Sequence, residues 1–334
     1  MLQNTTHAKC RPIIFLAIMQ LVLSGVRRWT RVDKFKGAII DKGQRDVSGN
    51  AWCLAANELH FNPMTQATGY TPDFLGPTIR VPRMLTDHRP DLVKLKNSGV
   101  LHYTHFSLAL SASRRLAYWV AWNIDGGRLK KLSRKGVRFA LDPRIPAKVQ
   151  MGNDIYVDNH LDRGHIARRA DLLWGAATEA RQANIDSFTF TNITPQMDNF
   201  NQAARNGVWG QLEDALFADT EVENLRVSVF GGPVFHTDDR SYRGALIPRE
   251  FYKVLAYVVD GALRAKAFLM TQNIKPVAVL ELDEFKVYQV TLEEVEQRGG
   301  FTFSTLLKAA DPFQKTLLTA VKRKPIESLD QIAW

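Results

Sequence analysis

The chain has 334 residues, 45% of them hydrophobic, with seven Trp and eighteen Phe, enough apolar mass to offset chain entropy and exclude wholesale disorder. Forty-four Lys and Arg against thirty-four Asp and Glu leave a formal charge of +10, a balance suited to polyanionic partners such as nucleic acid or an anionic membrane surface. Two cysteines, Cys10 and Cys53, exclude a disulfide framework and a cysteine-based zinc site, leaving open only one bond between them.

The N-terminal 66 residues read as an extension of unknown role. Within them IIFLAIMQLVLSGV, residues 13–26, is an apolar run with basic flanks. It is shorter than the ~20 apolar residues of a typical membrane span and lacks a clear small-x-small cleavage site. A buried or amphipathic helix and a signal-like segment both fit, so location stays open between a secreted or periplasmic and a cytoplasmic protein. No stable membrane association is expected.

Residues 67–334 read as one α+β domain. HYTHFSLALSAS and AYWVAWNI, the latter ending at Ile124, are predicted as neighbouring strands, followed by a tight turn at Asp125-Gly126-Gly127. His102 and His105 on such a strand point to opposite faces, which argues against a metal pair. From Ser111 to Gln150 ten Lys or Arg face only Asp125 and Asp142. VSVFGGPVF (227–235), FYKVLAYVV (251–259), KAFLMTQ (266–272) and FKVYQV (285–290) are predicted strands, with a turn at Gly231-Gly232. TLEEVEQRGG (291–300) has a Thr N-cap, acids in its first turn and a closing glycine, so it predicts a short helix. The strands follow too closely for regular βαβ units, so the expected architecture is a mainly antiparallel sheet flanked by helices.

Chemistry concentrates in YVDNHLDRGHIARRADLLWG (156–175) and FTFTNITPQMDNFNQAARNGVWGQLEDALF (188–217). Phosphodiester hydrolysis needs a base for water, positive charge for the phosphorane and often a metal at the leaving oxygen. His165 has the right unperturbed pKa for the base, near ~6.5, and Arg163 supplies a charge that persists at any working pH. Asn201 and Glu213 lie on or near a predicted helix whose apolar residues Trp209, Leu212, Leu216 and Phe217 read as core. An Asn and a Glu there are ordinarily a cap and a solvated acid, but beside an Asp-Arg-Gly-His run they also suit a hard cation and its waters, as Mg²⁺ prefers. Arg168 and Arg169 read equally well as phosphate contacts or as a solvated face.

The paired motifs DRGH (162–165), TNITPQ (191–196) and FNQ followed by WGQLED (200–214) resemble the DNA/RNA non-specific endonuclease family, with weaker agreement over roughly residues 69–305. The resemblance implies a ββα-metal (His-Me finger) active site and Mg²⁺-dependent hydrolysis of DNA and RNA, with Mn²⁺ as a substitute. By position it implies His165 as general base, Asn201 as the protein ligand of the metal, Glu213 holding one of the waters, and Arg163 on phosphate. Arg138, with Arg134 behind it, matches a further Arg that stabilises the transition state, and Arg168 is a second candidate for substrate. Family members are often dimers, so a homodimer is carried over as an expectation.

Asn201 and Glu213 are twelve residues apart, where the family spaces them by eight. Asn206 therefore stays open as the alternative metal ligand. Two other classes stand beside the nuclease reading. One is a catalytically degenerate nuclease fold serving as a nucleic-acid binding module. The other is a lipid or nucleotide phosphodiesterase, suggested only by the N-terminal apolar run.

Overall fold

The computed structural model describes residues 67–201, 226–272, 286–315 and Ile326. The apolar run 13–26, Asn206, Glu213 and the helix expected around Trp209–Phe217 lie outside the described residues.

Thirteen strands are described: β1 (Arg83–Met84), β2 (Leu101–Tyr103), β3 (Phe106–Leu110), β4 (Ala117–Asp125), β5 (Leu161–His165), β6 (Ile193–Met197), β7 (Arg226–Val234), β8 (Arg240–Tyr242), β9 (Ala245–Ile247), β10 (Glu250–Val259), β11 (Ala262–Thr271), β12 (Lys286–Val290) and β13 (Phe301–Thr302). Seven form one sheet in the order β12-β11-β10-β7-β4-β3-β2, and every pairing in it is antiparallel. The predicted α+β class with a mainly antiparallel sheet is therefore what the chain adopts.

The sheet is covered on both faces, which explains why AYWVAWNI shows no polar alternation. All nine residues of β4 are buried. Trp122 packs with Val229, Phe251 and Leu255 on one face, while Trp119 packs with Phe230, Tyr252 and Val254 on the other. Three helices precede in the chain, α1 (Arg169–Leu172), α2 (Ala177–Asp186) and α3 (Asp198–Asn201); the second face also takes Leu292 and Val295 of α4 (Leu292–Gly299) and Leu307 of α5 (Thr305–Ala309). The α4 helix has the expected ends: the Thr291 hydroxyl accepts from Glu294 N at 3.1 Å, and Gly300 closes it at φ 70°.

Two local expectations are corrected. HYTHFSLALSAS is not one strand but the β2–β3 hairpin, turned at Thr104-His105, where His105 takes a positive φ of 69°. Gly231-Gly232 is not a turn; both residues lie inside β7. A Cβ at Gly231 would sit 3.3 Å from the Trp122 ring, and one at Gly232 2.6 Å from the Tyr118 carbonyl. Close packing against β4, rather than a change of direction, requires glycine there.

Candidate active site

The β5 and β6 strands form a separate antiparallel pair with Asp162 opposite Gln196, Gly164 opposite Thr194 and His165 opposite Ile193. The chain passes directly from β6 into α3 (Asp198–Asn201). Three contacts fix this unit. Phe200 is fully buried with its ring 5.1 Å from Phe251 of the main sheet. Asp198 N donates to His160 O at 3.0 Å, tying the helix start to the residue before β5. Gln272, at the end of β11, accepts from Met197 N at 2.8 Å and donates to Pro195 O at 3.3 Å and Pro248 O at 2.6 Å.

Twenty-seven residues, 166–192, connect β5 to β6 and carry α1 (Arg169–Leu172) and α2 (Ala177–Asp186). They are bolted to β4 and the β2–β3 turn. Trp122 Nε1 donates to Asp171 at 3.1 Å and Trp174 Nε1 to Asn123 O at 2.9 Å. The His105 ring stacks on Trp174 at 3.5 Å, its Nδ1 lies 2.8 Å from Leu172 O, and its Nε2 lies 3.0 Å from Glu179. His105 is thus a structural residue.

His165 ends β5, its ring between Phe139 at 5.7 Å and Phe188 at 5.2 Å. Its Nε2 is enclosed and has no hydrogen-bond partner among the described residues. Burial, and then the charges of Arg169 and Arg134, push the imidazole down to about 4, so the ring is neutral at neutral pH with a lone pair available to take a proton. Arg163 gives Nε and Nη2 to Asn153 Oδ1 at 2.9 and 2.5 Å. Its guanidinium carbon lies 5.1 Å from the Tyr156 ring centroid and 5.5 Å from that of Phe139, so its charge is held beside the His165 surroundings.

On α3, Asn201 Nδ2 donates to Asp162 Oδ2 at 3.2 Å. That bond fixes the amide plane and leaves the carbonyl oxygen, a hard ligand, turned away from Asp162. Among the described residues no three His, Cys, Asp or Glu side chains converge to hold a metal. The Asn201 carbonyl oxygen is a donor of the kind a hard cation takes.

The basic segment runs alongside. Lys130 N donates to Leu173 O at 2.6 Å, Asn184 Nδ2 to Ser133 O at 3.2 Å, and Phe190 N to Ala140 O at 2.9 Å. Residues 130–140 thus follow α1 and α2 and end at Phe139 beside His165. Lys130, Lys131, Arg134, Lys135, Arg138 and Lys148 are exposed. Not all ten cations face outward. Arg144 pairs with buried Asp142 at 2.7 Å and Arg114 with buried Asp239. Burial pushes the Asp142 carboxyl up, but hydrogen bonds from Arg144 and Tyr103 outweigh it and hold it below the usual range.

Of the sequence candidates, His165, Arg163 and Asn201 gather on the β5–β6–α3 unit. Arg168 is half-buried just before α1, and Arg138 is exposed next to Phe139. The pattern reading left Arg169 open between a phosphate contact and a solvated face, and it missed Asn192. Arg169 donates to Asn184 Oδ1 at 2.6 Å and to Leu132 O, joining α1, α2 and the basic segment. Asn192 accepts from Ala167 N at 2.9 Å and donates to Ala167 O at 3.0 Å and Ser187 O at 3.1 Å, clasping the chain two residues after His165. Its place inside TNITPQ was the available signal.

Two antiparallel strands, the second running straight into a helix, with an imidazole on the first strand and an amide on the helix, are the arrangement of the ββα-metal nuclease fold. Residues 90–310 match the model of the DNA/RNA non-specific endonucleases, and the chain belongs to that family. It is 36% identical over 267 residues to the protein y4fB of Sinorhizobium fredii, covering 73% of this chain and 40% of that one. It is 26% identical over 205 residues to a nuclease of Nostoc sp., covering 59% of this chain and 70% of the relative. A solved complex of endonuclease G with its inhibitor EndoGI is similar at 23% identity and a TM-score of 0.49, covering 62% of this chain and 85% of that one. The chain spans less than half the length of the Sinorhizobium relative.

Proposed function

We propose that this protein is an endonuclease that hydrolyses phosphodiester bonds in both DNA and RNA with little regard for sequence, dependent on Mg²⁺ and accepting Mn²⁺. The observation that carries the reading is the enclosed, unpartnered Nε2 of a neutral His165 on the same ββα unit as Asn201. The family match and the Nostoc relative, itself called a nuclease, support it.

The His165 imidazole accepts the proton of the attacking water, and burial keeps the ring unprotonated for that task. Arg163 offers positive charge to the equatorial phosphate oxygens, with Arg138 and Arg168 contacting phosphates nearby. A divalent cation, when bound at Asn201, supplies charge stabilisation at the leaving oxygen. Glu213 keeps the role of holding one of the waters. Contacts of this kind address the backbone, which carries no base sequence.

The test is digestion of plasmid DNA and of RNA by the purified chain, in Mg²⁺ and in EDTA, beside His165→Ala. Cleavage of both substrates in Mg²⁺ alone is expected, with at least a hundredfold loss in the variant. Full activity in His165→Ala would overturn the assignment of the base. Retarded but uncut DNA under every metal would move the protein to the binding-module class.

A further inference from the structure

Arg163 and Arg169 differ from other arginines of the fold in what holds them. Arg114 and Arg144 are paired with the buried carboxylates of Asp239 and Asp142, and Arg249 with Asp238 at 2.8 Å. Arg163 instead gives both Nε and Nη2 to one amide oxygen, Asn153 Oδ1. Arg169 gives Nε to Asn184 Oδ1 at 2.6 Å and Nη2 to the Leu132 carbonyl. Every acceptor bonded to these two among the described residues is neutral.

The acceptor of Arg163 is itself held in place. Asn153 opens a 3₁₀ turn, Asn153–Tyr156. Arg243 grips that turn by donating to Asp154 O at 3.0 Å and Val157 O at 2.6 Å, and Asn159 Nδ2 donates to Ile155 O at 2.8 Å. The walls around Arg163 are uncharged as well. Its guanidinium carbon lies over the Tyr156 and Phe139 rings, and burial pushes the Tyr156 hydroxyl up, so that ring stays neutral. On the other side, burial and then the charge of Arg134 hold the Arg169 guanidinium below its ordinary range, as expected of a cation with no anion beside it.

The type of acceptor has a chemical consequence. A carboxylate in the same place would bind a guanidinium more strongly, but its negative charge would oppose the attraction that a phosphate oxygen feels. An amide oxygen fixes the position and leaves the whole positive charge. A guanidinium has N–H donors on all three nitrogens. With Nε and one hydrogen of Nη2 given to Asn153, Nη1 and the second hydrogen of Nη2 remain for an anion.

We infer that Asn153 is a positioning residue that fixes Arg163 for a backbone phosphate without neutralising it, and that Asn184 does the same for Arg169. The inference rests on the nuclease reading above and adds a requirement to it. The acceptor must be neutral, so Asp cannot replace Asn although it has the same shape.

The test uses the full chain and reads the binding of a fluorescein-labelled DNA duplex in EDTA, beside digestion in Mg²⁺. Asn153→Asp keeps both hydrogen bonds and is expected to keep or raise Tm. It should weaken duplex binding about tenfold, the loss of one charge-assisted contact. It should also lower the slope of log binding constant against log salt by about 0.9. Asn153→Ala frees the guanidinium but leaves its charge, so the slope should stay at the wild-type value while kcat falls. In an Arg163→Gln background Asn153→Asp should change binding little, because the charge it would oppose is gone. Asn184→Asp, which also gives up the bond to Ser133 O, should weaken binding in the same direction and provides the readout if Asn153→Asp fails to fold. Wild-type binding and salt slope in Asn153→Asp would overturn this inference. So would an equal loss in the Arg163→Gln background, which would mark general repulsion of the polymer. In either case the nuclease reading would still stand on digestion that is lost in His165→Ala. A wild-type chain that neither binds nor cuts DNA would overturn both together.

Discussion

As the proposed base, His165 meets two opposed requirements. A base must remain unprotonated, which burial ensures, yet the ring has to reach a water, which burial resists. Burial and the charges of Arg169 and Arg134 resolve the first by lowering the ring to about 4. The consequence for stability has a definite sign. The unfolded ring binds its proton near ~6.5, so between about pH 6.5 and 4 the unfolded state holds more protons than the folded state. The stability contributed by a neutral ring is complete above that window and is lost as the pH falls through it. The total is on the order of 3 kcal/mol at about 1.4 kcal/mol per pH unit. Urea unfolding of the wild type and His165→Asn at pH 7 and pH 4.5 measures it: the wild type should lose a few kcal/mol more than the variant over that interval. Equal losses would mean that the ring is solvated in the folded state. The acid limb of kcat/KM should likewise fall well below pH 6.5.

Elements were legible to the extent that their signals are local. The AYWVAWNI, FYKVLAYVV and KAFLMTQ strands are dense apolar runs, and α4 carries its cap residues in sequence. The β2–β3 turn gave no such signal, because it forms at Thr104-His105 without Gly, Asn or Asp. His105 tolerates positive φ there because Trp174 and Leu172 hold its ring. The motifs located His165, Arg163 and Asn201, but the grip of Asn192 on Ala167 became visible only with the 166–192 connection in place. That grip yields an element-scale expectation. Asn192→Ala strands three buried hydrogen bonds and should cost about 2–4 kcal/mol. Because the clasp sets where β5 ends, kcat should fall well below wild type at temperatures where the variant is fully folded, with KM little changed. A destabilised variant with wild-type kcat would show that the clasp only holds the fold.

At the scale of the whole molecule, the net charge of +10 announced a polyanionic partner but not where that partner lies. Through-space pairing sorts the cations: Arg114 and Arg144 are drawn into buried ion pairs, whereas Lys130, Lys135 and Lys148 remain exposed. Lysines that neutralise phosphates release condensed counterions, so each contact contributes about 0.9 to the slope of log binding constant against log salt on duplex DNA. Replacing Lys130, Lys135 and Lys148 with Gln should therefore lower that slope by up to about 3 and raise KM at physiological salt. It should leave kcat unchanged, because the charges acting on the His165 ring are those of Arg169 and Arg134. The effect should be the same on AT-rich and GC-rich duplexes, since phosphate contacts carry no base information. Lys94→Gln, an exposed lysine outside this segment, serves as the charge control. A triple variant with the wild-type salt slope would mean that the polymer follows a different route to the site. A variant whose loss depends on base composition would mean that the segment reads bases, which conflicts with a nuclease indifferent to sequence.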